Sequence, residues 1–199
     1  MLQMDAMALG DYGTNCYIVR DSDSKTCCII DPGYQPQRVL DRVAELGLEV
    51  EAILLTHGHF DHVGGVAFIA ADTDCDVYIN AEDLQLPPRL TDGRIYYTRT
   101  YAQGDVLQLA GLTIQVMSTP GHTPGSVCLC IEDHLFSGDT LFAGSCGRTD
   151  LPGGDWMTIC ESLKRLSQME GNWTVHPGHG ESTALDAERK YNPYMREYI

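Results

Sequence analysis

Thr56-His57-Gly58-His59-Phe60-Asp61-His62 places four ligand-type side chains within six consecutive positions. It follows a short apolar run, Ala52 to Thr56, that reads as a buried strand. It precedes a helical pattern that begins at His62 and carries Val63, Val66, Ala67 and Ala70 on one face. In an extended segment residues i and i+2 face the same way, so His57 and His59 can reach one cation together. Asp61 and His62 come after the chain turns into the helix and point elsewhere. The motif therefore reads as a two-site device.

Three more ligand-type residues sit where turns are expected. His122 lies in Thr119-Pro120-Gly121-His122-Thr123-Pro124-Gly125, Asp139 in Ser137-Gly138-Asp139-Thr140, and His179 in His176-Pro177-Gly178-His179-Gly180. Loops at strand ends are where reactive groups usually sit. A single histidine is more often a solvated or core residue than a ligand, but the clustering reverses that reading. Five histidines and two aspartates suffice for two transition-metal ions side by side, and water shared by two such ions ionises near neutral pH. Hydrolysis is the expected chemistry, with Asp61 also orienting the nucleophile and taking up its proton. No His-Glu-x-x-His helix is present, so the zinc-peptidase pattern does not apply. His134, beside Asp133, reads as an exposed turn residue, and His176 is left out of the ligand set.

Around these loops, strand-like and helix-like segments alternate with short Gly and Pro punctuation. Strands are expected at Thr14 to Val19, Thr26 to Ile30, Val106 to Leu109, Leu112 to Met117, Ser126 to Ile131, His134 to Ser137 and Trp173 to His176. Asp31-Pro32-Gly33 reads as a turn. Pro36 opens a helix with Val39, Leu40, Val43 and Leu46 on one side, stopped by Gly47. Asp155 caps another that bears Trp156, Ile159, Leu163 and Leu166. A final helix is expected to be capped by Ser182 or Thr183 and interrupted by Pro193. Leu86 to Tyr101 is the one long irregular stretch, a candidate border for a substrate cleft. Two similar halves predict an α/β fold of two packed sheets with helices outside, in a single domain over 1–199.

The chain has 199 residues, 43% hydrophobic and 21% charged, enough to bury a core without staples. No apolar run is long enough to span a membrane, and Met1 to Asp5 carries no basic or apolar leader, so a cytoplasmic protein is expected. The formal charge of −15 repels phosphate backbones and argues against nucleic acid as a partner. The eight cysteines, with no Cys-x-x-Cys pair, read as reduced core residues. A monomer or a small homo-oligomer fits equally well.

The pattern Thr-His-x-His-x-Asp-His with His122, Asp139 and His179 resembles that of the metallo-β-lactamase superfamily, and within it the glyoxalase II branch, the hydroxyacylglutathione hydrolases. The resemblance covers nearly the whole chain from Thr14-Asn15-Cys16-Tyr17 onward. It implies a four-layer αββα sandwich with metals at one edge of the two sheets. It also implies that His57, His59 and His122 hold one ion and Asp61, His62 and His179 a second, with Asp139 bridging them. Two divalent transition-metal ions, zinc before iron or manganese, would be the cofactors, and an acyl thioester or ester the small-molecule substrate. The chain departs from that branch in three places. The stretch after His179 is too short for a C-terminal helical glutathione-binding domain, and Arg148-Thr149-Asp150 and Glu181 stand where the branch carries Lys-Phe-Tyr and Tyr. Arg148 is retained as a candidate anion binder for a substrate carboxylate. The run Cys146 to Asp150 also resembles persulfide dioxygenases. There His57, His122 and Asp139 would hold a single iron and Cys146 would contact the sulfur substrate. Lactonase or β-lactamase activity and a non-catalytic metal module rank lower.

Overall fold

In the computed structural model, which describes residues 1–196, two six-stranded sheets pack face to face with helices on both outer faces. The first sheet runs β1 (Leu2–Leu9), β2 (Thr14–Asp21), β3 (Thr26–Ile30), β4 (Glu49–Leu54), β5 (Asp76–Asn80) and β6 (Arg99–Tyr101) in spatial order. β1, β2 and β3 pair antiparallel, whereas β3 to β6 are parallel. The second sheet has β7 (Val106–Leu109), β8 (Leu112–Ser118), β9 (Val127–Ile131) and β10 (His134–Gly138). A two-stranded ribbon, β11 (Leu141–Phe142) and β12 (Ser145–Cys146), follows β10. Next come β13 (Thr174–Pro177), parallel to β10, and β14 (Thr183–Ala184) at the sheet edge.

Side-chain alternation along the strands builds the four layers. In β2, Tyr17 and Val19 face the second sheet while Cys16 and Ile18 face the helices; in β3 the same split separates Cys28 and Ile30 from Cys27 and Ile29. On the other side, β9 sends Val127, Leu129 and Ile131 between the sheets and Cys128 and Cys130 outward. Both faces of the central strands are covered, which is why they read as unbroken apolar runs. α1 (Pro36–Glu45) and α3 (Val66–Thr73) cover the first sheet, and α5 (Trp156–Ser167) covers the second.

The structure revises several local expectations. β1 and β5 lie outside the expected strands: β1 is an edge strand with an interrupted apolar pattern, and β5 has only Val77, Tyr78 and Ile79 between polar Asp76 and Asn80. The helix expected from His62 is two, α2 (Phe60–Val63) and α3, split at Gly64 and Gly65. A Cβ on Gly65 would come within 2.7 Å of the Gly33 carbonyl and one on Gly64 within 2.6 Å of Tyr34, so close approach to the Asp31 turn sets the break. Thr183 is in β14, and α6 (Leu185–Tyr191) starts after Ala184 with no side-chain cap. Pro193 opens a further helix, α7 (Pro193–Arg196), rather than interrupting one. Asp155 does cap α5, accepting from Thr158 N at 2.7 Å, but Trp156 stays exposed against Tyr194. The stretch from Leu86 to Tyr101 contains a short helix, α4 (Pro88–Thr91), and the strand β6. Of the cysteines, all unpaired, seven are buried and Cys146 is half-buried. No helix among the described residues is long and apolar enough to cross a membrane.

His176 lies in β13, buried against Phe136 and Tyr17, with Nε2 2.8 Å from His134 Nδ1 and Nδ1 3.0 Å from Ser182 Oγ. His134 is thus half-buried and bonded rather than simply exposed. Burial, and then the neighbouring His134, lower the His176 pKa from 6.5 to about 4. The unfolded chain protonates His176 more readily than the folded one. Its contribution to stability is therefore complete above pH 6.5 and is lost as pH falls through 6.5 towards 4. The melting temperature should drop by several degrees between pH 7 and pH 5, and His176→Phe should flatten that dependence. Equal pH slopes for the two proteins would refute this assignment.

Candidate metal centre

The site forms where both sheets end along one edge. β4 delivers the 56–62 motif, the β8–β9 loop delivers His122, the end of β10 delivers Asp139 and the end of β13 delivers His179. Backbone bonds stitch this edge together: Val127 N donates to the Thr56 carbonyl at 2.9 Å, and Asn15 N to the Gly178 carbonyl at 2.7 Å. The seven predicted residues, spread over 123 positions of the chain from 57 to 179, converge in one place.

They fall into two groups. Ligand atoms of His57, His59 and His122 lie within 4.8 Å of one another, and so do those of Asp61, His62 and His179. Asp139 stands between the groups. Its Oδ1 is 3.3 Å from His62 Nε2, and its Oδ2 is 3.5 Å from both His122 Nε2 and His179 Nε2. Asp31, His57 and His62 also lie within ligating distance of one another. The Asp31 carboxylate, however, is engaged with the far sides of the motif, accepting from Thr56 N at 2.8 Å, Thr56 Oγ1 at 2.6 Å and His62 Nδ1 at 2.9 Å.

Fixed partners assign the ring protons. His122 Nδ1 donates to the Arg148 carbonyl at 2.8 Å and His179 Nδ1 to the Tyr12 carbonyl at 3.1 Å; neither acceptor can donate. His62 Nδ1 donates to Asp31. Thr56 Oγ1 gives its proton to Asp31 and so accepts from His57 Nδ1 at 3.1 Å. In the neutral form of each ring this leaves the Nε2 lone pair facing the shared space, as in metal-binding histidines whose other nitrogen is tied to an acceptor. His59 turns Nδ1 towards the same space, 2.9 Å from His122 Nε2.

The donor set fits divalent metal on three further observations. His57 Nε2 and Asp139 Oδ1 are buried without a hydrogen-bond partner among the described residues, a costly state for polar atoms. The rings and carboxylates create a demand for positive charge. Burial opposes protonation of His62, but Asp139 and Asp31 outweigh it and raise its pKa well above the ordinary value. Burial likewise opposes ionisation of Asp61, yet His179, His62 and the Thr14 hydroxyl at 2.9 Å hold its carboxyl well below the usual range. His57, by contrast, is driven far down by burial and by the neighbouring histidines, so it is a neutral ring with a free lone pair. Finally, the centre is cradled by glycines. A Cβ on Gly178 would overlap Asp139 Oδ1 and come within 2.7 Å of His62 Cε1, and one on Gly147 would overlap the Asp139 carbonyl.

Arg148 and Cys146 lie beside the centre. The Arg148 guanidinium is exposed and paired with Asp150 at 2.7 Å through both of that carboxylate's oxygens. Burial pushes the Cys146 thiol up to about 11, so it is a neutral thiol at pH 7. His176 touches none of the seven residues through its ring nitrogens. Sequence reasoning missed Asp31, which it read as a turn residue, and the orienting roles of Thr14, Thr56 and the Tyr12 and Arg148 carbonyls. Only Asp31 and the two threonines had any side-chain signal to find.

A four-layer sandwich with histidine–aspartate clusters at its edge is the framework of a metal-dependent hydrolase superfamily. The family model described as the metallo-β-lactamase superfamily matches residues 9–183, and the chain belongs to that superfamily. It is similar to the hydroxyacylglutathione hydrolase GloC of Haemophilus influenzae, with 31% identity over 98% of each chain. Among solved structures it resembles BLEG-1, described as a B3 metallo-β-lactamase, with a TM-score of 0.88, 33% identity and coverage of 98% and 99%. It also resembles TTHA1623 in a di-iron-bound form, with a TM-score of 0.83, 39% identity and coverage of 96% and 99%.

Proposed function

We propose that this protein is a metal-dependent hydrolase of small acyl thioesters, with His57, His59 and His122 holding one divalent ion, Asp61, His62 and His179 a second, and Asp139 both. The observation that carries the reading is the convergence of all seven residues, with their lone pairs turned inward and their protons tied outward. Two bound ions supply a water-derived nucleophile at neutral pH and a Lewis acid for the carbonyl oxygen. Zinc is favoured; the di-iron form of TTHA1623 supports iron as an alternative, and manganese suits the same donors.

The side chains do the rest. Asp61 Oδ2, fixed by Thr14 and lying 3.2 Å from His179 Nε2, orients the nucleophile and takes up its proton. Asp31 and Thr56 hold His62 and His57 in one tautomer, so no ring must reorganise during the reaction. A thiolate departs without needing a proton, so this leaving group asks no general acid of the site. The name of GloC supports a thioester as substrate.

The Arg148–Asp150 pair is exposed to solvent, where water screens it, so a substrate carboxylate can take Asp150's place. Arg148→Ala is expected to raise KM severalfold for thioesters with an acidic carrier while leaving kcat within about twofold. Steady-state kinetics would read both, and an unchanged KM would remove Arg148 from substrate binding.

The activity itself is tested by thiol release from a panel of acyl thioesters, glutathione and coenzyme A conjugates included, with zinc- and iron-loaded protein. Metal-dependent release supports the thioesterase, and the ranking identifies the carrier. No release from any thioester, with oxygen uptake on a persulfide by the iron form, would replace this reading with the dioxygenase.

A further inference from the structure

Asp83 lies outside every group considered so far. It sits in the single 3₁₀ turn Ala81–Gln85 that follows β5, and its side chain is fully buried. A buried carboxylate needs donors, and here they come from two different loops. Oδ2 accepts from Gly58 N at 2.7 Å and from Thr123 Oγ1 at 2.8 Å, and Oδ1 accepts from Gly125 N at 2.6 Å. Gly58 lies between His57 and His59; Thr123 follows His122, and Gly125 closes the same turn. One carboxylate thus joins the only two loops that supply the first cluster. It has no hydrogen bond to the loops of Asp139 or His179.

The packing is tight on both sides. A Cβ on Gly125 would meet Asp83 Oδ1 at 2.6 Å, and one on Gly58 would meet the Asp83 Cβ at 3.2 Å and Ile95 at 2.8 Å. At Gly125 the carboxylate itself fills the place a side chain would take, and at Gly58 the Asp83 Cβ and Ile95 fill it. We propose that Asp83 is a positioning residue that sets the spacing between His57–His59 and His122, and hence the metal affinity of the first cluster alone. The proposal rests on the two-ion reading above and adds a distinction within it: the second cluster, oriented by Asp31, Thr14 and the Tyr12 carbonyl, is independent of Asp83.

Asp83→Asn is the informative variant. An amide keeps the shape but offers one accepting end, so its NH₂ must face a backbone N–H, either Gly58 or Gly125. That forces the loops apart without opening a cavity. Zinc(II) affinity would be measured by chelator competition in two backgrounds. His179→Ala leaves only the first cluster whole, and His59→Ala leaves only the second. The parent chain, titrated first, tests the two-ion reading by itself, and binding of fewer than two ions there would refute that reading and this proposal with it. With two ions bound by the parent, Asp83→Asn is expected to weaken zinc at least ~10-fold in the His179→Ala background, the scale of a lost outer-sphere contact. In the His59→Ala background zinc affinity should stay within about twofold. Equal losses in both backgrounds would show general destabilisation and overturn the proposal, as would no loss in either. If Asp83→Asn does not fold, Thr123→Val removes one of the three donors and leaves the carboxylate in place. It should give a smaller loss confined to the first cluster, and an even or absent loss would again overturn the assignment.

Discussion

Asp139→Ala is expected to lower kcat for thioester hydrolysis by on the order of 10²–10³-fold or more and to reduce bound metal below two ions per chain. Among the described residues Asp139 is the carboxylate that reaches histidines of both clusters, with Oδ1 3.3 Å from His62 Nε2 and Oδ2 3.5 Å from His122 and His179. Its removal takes away both a shared donor and a large part of the negative charge that makes the site attract cations. Burial alone would make the Asp139 carboxyl harder to ionise, but His62, His122 and His179 hold it below its ordinary value. It is therefore fully charged at neutral pH, and the alanine variant leaves those rings facing one another. The fold should survive, because Asp139 follows β10 in a loop and belongs to none of the three apolar clusters. Metal analysis beside kinetics and circular dichroism checks the prediction. Near-parent turnover with both ions retained would show that Asp139 does not bridge.

Asp31→Ala should cost stability as well as activity. The carboxylate is buried and accepts three hydrogen bonds, two from Thr56 and one from His62. Alanine leaves three buried donors unsatisfied, at ~1–3 kcal/mol each before relaxation, so a loss of about 3–5 kcal/mol is expected. For a chain of this size that lowers the melting temperature by roughly 10 °C or more. His62 also loses the partner that fixes its tautomer, so metal affinity at the second cluster should fall about 10–100-fold. Thermal melting of the metal-free and zinc-loaded variants separates the two effects. A melting temperature like the parent's would mean that water or a rearranged Thr56 replaces the carboxylate.

The layered fold was legible in the sequence because the central strands are covered on both faces. Thr26 to Ile30 and Ser126 to Ile131 read as unbroken apolar runs, and a sandwich with outer helices buries both sides of such strands. β1 was not legible, since an edge strand exposed on alternate residues carries little apolar signal. The split between α2 and α3 was hidden because it depends on the Gly33 carbonyl and the Tyr34 ring, which no local pattern reveals.

The seven candidate ligands were legible for a chemical reason: histidines and aspartates grouped at strand ends have few purely structural uses. The residues that orient them were not. The Arg148 and Tyr12 contributions come from backbone carbonyls and leave no trace in residue identity. Asp31 was masked by Pro32 and Gly33, which make it look like an ordinary turn, although its carboxylate points into the site. Asp83 sits in a helical turn with no ligand nearby in sequence, and only the fold brings Gly58 and Gly125 to it.

The proposed chemistry requires two ions acting together in one site. Metal-free protein titrated with zinc, with thiol release from a reactive acyl thioester followed at each addition, tests this most directly. The rate is predicted to rise until two equivalents per chain are bound and then level off, with little turnover below one. A plateau at one equivalent, or no thiol release at any loading, would contradict it.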